Sequence, residues 1–201
     1  MNRLIVIQNI DREKPSLFRI VAEEIGMDVI TLNMHRGDKI IFPQKSDILL
    51  ILGGPMGVSD MSNPLYPWLK NVVDLIDYCL EEEIPLIGVC LGAQLLAFSR
   101  GGSVKPLLEK MTLRKRPEIG WSRIDILDTQ LTEQIFDNID FPFYGLHWHA
   151  DKINLPDTAV LLASTPICKE QMFKIGHQSY GIQFHIEVDC NDFFRWIAED
   201  A

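Results

Sequence analysis

Pro85-Leu86-Ile87-Gly88-Val89-Cys90-Leu91-Gly92-Ala93-Gln94 runs from a short, fully apolar segment directly into a helix-forming one. The spacing predicts a buried strand over 85–90, a sharp turn at Gly-x-Cys-x-Gly, and a helix from Leu91 to Arg100 closed by Gly101-Gly102. Strand, nucleophile-type residue and helix in that order make the architecture of a nucleophile elbow, here with sulfur in place of a hydroxyl. The glycines permit the turn and leave room beside the sulfur. Unpaired N–H groups at the helix start favour thiolate over thiol, and the N–H of Leu91 is placed to receive a developing oxyanion. A buried core cysteine is the alternative for Cys90 taken alone.

Outward from the elbow, the chain alternates. Arg3–Gln8, Val29–Met34 and Asp47–Leu52 read as strands, Pro15–Gly26 as a helix with Leu17, Ile20, Val21 and Ile25 on one face, and Asn63–Glu83 as the longest helix. Pro64 and Pro67 suit its first turn or an irregular entry. Beyond Val104 come short apolar segments, 121–127, 143–149, 159–163, 172–175 and 181–187, read as strands, with helices at 131–139 and 192–198. No linker or repeat divides the chain. The expected fold class is α/β: one domain over residues 1–201, a mostly parallel open sheet flanked by helices, with antiparallel strands added in the C-terminal half.

Composition narrows the function. Hydrophobic residues are 47% and charged residues 23% of 201, which fits a folded globular chain and excludes a disordered or fibrous one. The formal net charge of −9 argues against nucleic acid or an anionic membrane surface as partner, leaving a small molecule. Apolar runs such as 48–52 are far short of the ~20 residues of a bilayer span, and Leu4–Ile7 is too short for a signal-peptide core. A cytoplasmic location is expected. Cys79, Cys90, Cys168 and Cys190 show no Cys-x-x-Cys spacing and no disulfide framework, so reduced thiols are expected.

A thiolate needs a proton shuttle, and Gly181-Ile182-Gln183-Phe184-His185-Ile186-Glu187 supplies one. If this is a strand, His185 and Glu187 share a face and the carboxylate can orient the imidazole. Gly53-Gly54-Pro55 follows a strand, where open α/β sheets bind ligands; its spacing matches no nucleotide-binding loop, and the Gly54 N–H suits a second oxyanion donor. Glu118-Ile119-Gly120-Trp121 and His147-Trp148-His149-Ala150-Asp151 add further polar and aromatic groups. His147, His149 and Asp151 alternate as metal ligands can, so a metal-dependent hydrolase is one rival reading. Lys152 and the lack of a glycine-rich, histidine-bearing context weigh against it. No metal or cofactor is expected, and His149 is assigned to the substrate-side wall of the thiol site.

In these motifs and their order the chain resembles the class I glutamine amidotransferases, in particular their stand-alone, GMP-synthase-like branch. The resemblance covers nearly the whole chain and rests on Gly88–Gln94, Gln183–Glu187 and Gly53–Pro55, with Glu118–Trp121 and His147–Asp151 as further features. It implies a flavodoxin-like sheet and a Cys-His-Glu triad that hydrolyses a γ-glutamyl amide. Cys90 would be nucleophile, His185 base, Glu187 its orienter, Gly54 and Leu91 oxyanion donors and Gln94 a substrate contact. Ile186 stands where the family usually has Pro, and Ala150 where Gly is common. A synthetase that consumes the ammonia is a possible partner, and a non-catalytic regulatory protein on the same scaffold is the remaining alternative.

Overall fold

In the computed structural model, residues 2–109, 112–127, 130–136, 139 and 142–200 are described. The strands are β1 (Arg3–Gln8), β2 (Asp28–Asn33), β3 (Ile48–Ile51), β4 (Leu86–Val89), β5 (Ser103–Pro106), β6 (Glu118–Arg123), β7 (Asp125–Ile126), β8 (Tyr144–His149), β9 (Asp151–Asn154), β10 (Ala159–Ser164), β11 (Met172–Ile175) and β12 (Ser179–Ile182). The helices are α1 (Ser16–Glu24), α2 (Trp68–Glu81), α3 (Leu91–Ser99), α4 (Gln130–Ile135) and α5 (Cys190–Asp200). Eight strands form one sheet in the order β2-β1-β3-β4-β12-β11-β10-β7, parallel from β2 to β12 and antiparallel beyond. Two separate ribbons, β5–β9 and β6–β8, complete the C-terminal half. The mixed α/β architecture expected from the alternation is the one observed.

Period-two burial sets the layers. Ile5, Ile7, Leu49 and Ile51 pack on one face with Leu69, Val72, Leu75 and Ile76 of α2 and with α3, while Leu4, Val6, Leu50 and Leu52 face the other side with Phe18 and Ala22 of α1. Helix α3 is apolar on nearly every side, and Leu91 to Ala97 are all buried, which anchors its N-terminus rigidly behind β4.

Three expectations need correction. The stripe Leu17, Ile20, Val21 and Ile25 of α1 is largely exposed, 41 to 68%, whereas Ala22 is the buried residue of the helix. An i, i+4 pair, Phe18 and Ala22, docks the helix, so a stripe with the right period was read on the wrong side. The long helix begins at Trp68, because Pro64 and Pro67 lie in an irregular entry after a short 3-10 turn at Val58–Ser62. Strand β12 stops at Ile182, and residues 183–187 are bends, with His185 making a lone antiparallel bridge to Leu146. His185 and Glu187 therefore do not meet as neighbours on a strand face.

A candidate thiol active site at the ends of three strands

The carboxyl ends of β3, β4 and β12 lie side by side in the sheet, and each delivers one motif: Gly53-Gly54, Cys90, and Gln183 with His185. This is where a parallel sheet offers a crevice. Cys90 caps α3 with φ 50° and ψ −104°, a conformation that side-chain-bearing residues rarely adopt and that costs about 1–3 kcal/mol. Its backbone N–H donates to the Ile182 carbonyl at 2.8 Å, tying the elbow to β12. Cys90 is 7% exposed.

The close approach of elbow and sheet requires glycine twice. A Cβ on Gly92 would lie 2.2 Å from the Ile51 carbonyl oxygen, and one on Gly88 2.5 Å from the Gly92 carbonyl oxygen. Helix α3 thus starts in direct backbone contact with β3.

His185 is buried beside Cys90 and Glu187. Its Nδ1 is 2.7 Å from Glu187 Oε1. The second carboxylate oxygen accepts from the Ile186 N–H at 3.0 Å, and the Glu187 carbonyl accepts from the Leu17 N–H at 3.0 Å. Carboxylate and loop are therefore held from both sides, which replaces the strand geometry expected from the His-x-Glu spacing. Trp196 of α5 stands edge-on to the imidazole, centroids 4.8 Å apart, and donates its indole N–H to the Arg12 carbonyl at 3.2 Å. Trp148 packs in turn on Trp196 at 6.0 Å, so this indole belongs to the support of His185. Burial is the strongest influence on the His185 pKa and pulls it down. The Glu187 charge, with hydrogen bonds to Cys90 and Glu187, outweighs it, and the imidazole is held well above its ordinary value of 6.5.

This arrangement has a measurable consequence. Glu187→Gln removes the largest upward influence and leaves burial opposed by Cys90 alone, so the His185 imidazole, followed by NMR, is expected to titrate at lower pH than in wild type. A pKa raised by folding stabilises the fold fully below the ordinary value and loses that contribution as pH rises through the raised one. The excess stability of wild type over Glu187→Gln should therefore shrink as pH climbs above neutrality. An unchanged His185 titration in the variant would show that Glu187 does not set the charge of the ring.

Gln183 is a site residue whose role the sequence reading did not pick out. Its amide N–H donates to Cys90 Sγ at 3.6 Å, and its carbonyl oxygen accepts from Gln94 at 3.4 Å. Gln94, assigned to substrate, is turned within the protein toward Gln183 and is 4% exposed. Gly54 lies against Leu91: a Cβ there would sit 3.3 Å from the Leu91 side chain. Gly54 and the Leu91 side chain are thus close neighbours at the start of α3. Asn9 fixes that loop by donating to the carbonyls of Leu52 and Gly53 at 2.9 and 3.2 Å, while accepting from the Trp68 indole at 3.1 Å.

His149 takes a different neighbourhood. It is 6% exposed, with Nε2 at 3.1 Å from Glu118 and Nδ1 at 2.8 Å from the Asp151 carbonyl. The acidic side chain that meets the two histidines is that of Glu118, on the paired strand, rather than Asp151. Burial holds the neighbouring His147 pKa down at about 4, so that ring is neutral at physiological pH. Among the described residues no helix is long and apolar enough to cross a membrane.

Comparison with known proteins gives consistent matches. The model of the family described as "Glutamine amidotransferase class-I" matches residues 6–198. A GMP synthase [glutamine-hydrolyzing] of Pseudomonas fluorescens is 35% identical over 147 residues, 70% of this chain but 25% of the relative. The chain thus spans about a quarter of that protein's length. A glutamine amidotransferase-like protein of Salmonella typhimurium is 28% identical over 83% of this chain and 67% of its own length. Among solved structures, a glutamine amidotransferase from Thermotoga maritima superposes with a TM-score of 0.85 at 29% identity, covering 98% of this chain and 81% of its own.

Proposed function

Since the chain belongs to the class I glutamine amidotransferases, we propose that it hydrolyses a γ-glutamyl amide by covalent catalysis at Cys90. The observation that carries this reading is the meeting, at the ends of three adjacent strands, of a strained cysteine at a helix N-terminus with a buried, carboxylate-held imidazole. The Cys90 proton passes to His185, whose raised pKa favours the imidazolium, and the sulfur attacks the amide carbonyl. Charge developing on the carbonyl oxygen falls between the N–H groups of Gly54 and Leu91. His185 passes its proton to the departing nitrogen, and ammonia or an amine leaves. Water, deprotonated by His185, then cleaves the glutamyl thioester, releasing glutamate and restoring the thiol. Glu187 keeps the Nδ1 proton in place and offsets the charge of the imidazolium; Gln183 and Gln94 brace the sulfur from the side.

A second reading has specific support in the match to one quarter of a GMP synthase: the chain delivers ammonia to a separate synthetase. A coupled subunit gains from idling until its acceptor is ready. The test is kcat/KM of this chain alone for glutamine and for γ-glutamyl dipeptides. Measurable turnover of at least one of them without a partner is expected. Negligible turnover of all of them, restored by a co-purifying synthetase, would favour the docked subunit. Loss of turnover on thiol alkylation, with indifference to chelators, would separate both readings from a metal-dependent hydrolase.

A further inference from the structure

The β6–β8 ribbon sets Glu118 directly opposite His149, and His147 lies two residues earlier on β8 and so on the same face. All three are buried: His147 is 0%, Glu118 4% and His149 6% exposed. Glu118 Oε2 is 3.1 Å from His149 Nε2 and 3.5 Å from His147 Nδ1, and one ligand atom from each residue lies within 4.8 Å of the others. Bonds of about 2.0–2.1 Å to a tetrahedral ion separate its ligand atoms by roughly 3.3–3.4 Å. The two Glu118 contacts straddle that value.

The hydrogen bonding around the cluster also fits. His149 Nδ1 faces the Asp151 carbonyl at 2.8 Å; a carbonyl only accepts, so the proton sits on Nδ1 and the Nε2 lone pair points at a carboxylate oxygen. Two acceptors face each other there, and only a second proton or a cation resolves the contact. Glu118 is held in turn by Thr165 Oγ1 on Oε1 and Gln171 Nε2 on Oε2, both at 2.7 Å. Outer partners of this kind orient metal-binding histidines and carboxylates. Neither ring nitrogen of His147 has a hydrogen bond among the described residues, although the side chain is fully enclosed. Two imidazoles and one carboxylate are a donor set suited to zinc and its neighbours.

We propose that Glu118, His147 and His149 bind one divalent transition-metal ion of the zinc class, with a water molecule at the remaining position. The ion is structural rather than part of the thiol chemistry. Strand β8 exchanges backbone hydrogen bonds with His185 through Leu146, at 2.8 and 3.3 Å, so an ion fastening β8 to β6 steadies the backbone that carries the imidazole.

The test uses the whole chain, treated with a chelator and then with an alkylating agent so that thiolates do not compete, and titrated with Co2+ alone. One Co2+ per chain is expected, with the visible absorption of a low-symmetry site, a melting temperature that rises with Co2+ or Zn2+, and paramagnetically shifted proton signals from two histidine rings. Affinity should fall at least tenfold in His149→Gln and Glu118→Gln. The ring signals are read on wild type and so hold even if a variant does not fold. No uptake by wild type, with an unmoved melting temperature, would overturn the proposal and leave a proton between Glu118 and His149. Uptake without histidine signals, or undiminished in both folded variants, would place the metal elsewhere and overturn it equally.

Discussion

Cys90→Ala is expected to lower turnover of a γ-glutamyl amide by about 10^4-fold or more, with the fold intact. Members of a nucleophile–base pair act as a unit, so loss of the sulfur forfeits the covalent route and leaves only binding and the oxyanion donors. His185→Ala should be nearly as severe. Glu187→Gln should retain a measurable remainder, because the imidazole persists and loses only its anchor. Stability offers an independent reading of the same residue. The backbone at Cys90 has φ 50°, which glycine accepts without strain. Cys90→Gly, equally inactive, is therefore expected to resist urea better than Cys90→Ala by about 1 kcal/mol. Equal midpoints would show that the elbow stores no strain.

The second large effect is on folding. In Gly92→Ala the new methyl carbon would meet the Ile51 carbonyl oxygen at 2.2 Å, and neither the buried first turns of α3 nor the central β3 can yield locally. A destabilisation of about 3 kcal/mol is expected, at the upper end of ordinary overpacking, which for a chain of this size lowers the melting temperature by roughly 10 °C. Turnover should fall with it, since the displaced helix start carries both Cys90 and the Leu91 N–H. Gly57→Ala is the control: its Cβ would find its nearest neighbour, Ser59 Oγ, at 3.4 Å. A Gly92→Ala protein as stable as that control would refute the backbone contact.

Much of this site could be read from the chain because its parts are local. The elbow is a ten-residue pattern in which strand, turn and helix follow one another, and the apolar runs of β1, β3 and β4 announce strands covered on both faces. His185 and Glu187 were also found from their spacing, yet for a reason the structure replaces: β12 ends at Ile182, and the pair meets because a bent loop is held by the Leu17 N–H and the Leu146 backbone. The contacts that escaped notice are long-range. Glu118 meets His149 only once β6 pairs with β8, Gln183 reaches Cys90 only once β12 lies beside β4, and Trp196 reaches His185 from the last helix. The ribbon β5–β9 escaped notice too, since Ser103–Pro106 has no apolar alternation. The exposed stripe of α1 shows the complementary error, in which correct periodicity does not say which side of a helix the sheet will take.

The central claim, one activated thiol in a γ-glutamyl pocket, is tested most directly by reacting the protein with a glutamine-like chloroketone and mapping the labelled peptide. Burial pushes the Cys79 thiol up to about 12, and burial together with the Glu118 charge does the same for Cys168, so both should stay protonated and inert. Cys190 is exposed at the start of α5 and is expected to react slowly and without saturation. The account predicts a single equivalent of label, on Cys90, with glutamine protecting against it. Label found mainly on Cys79, Cys168 or Cys190, or on Cys90 without protection by any γ-glutamyl compound, would contradict it.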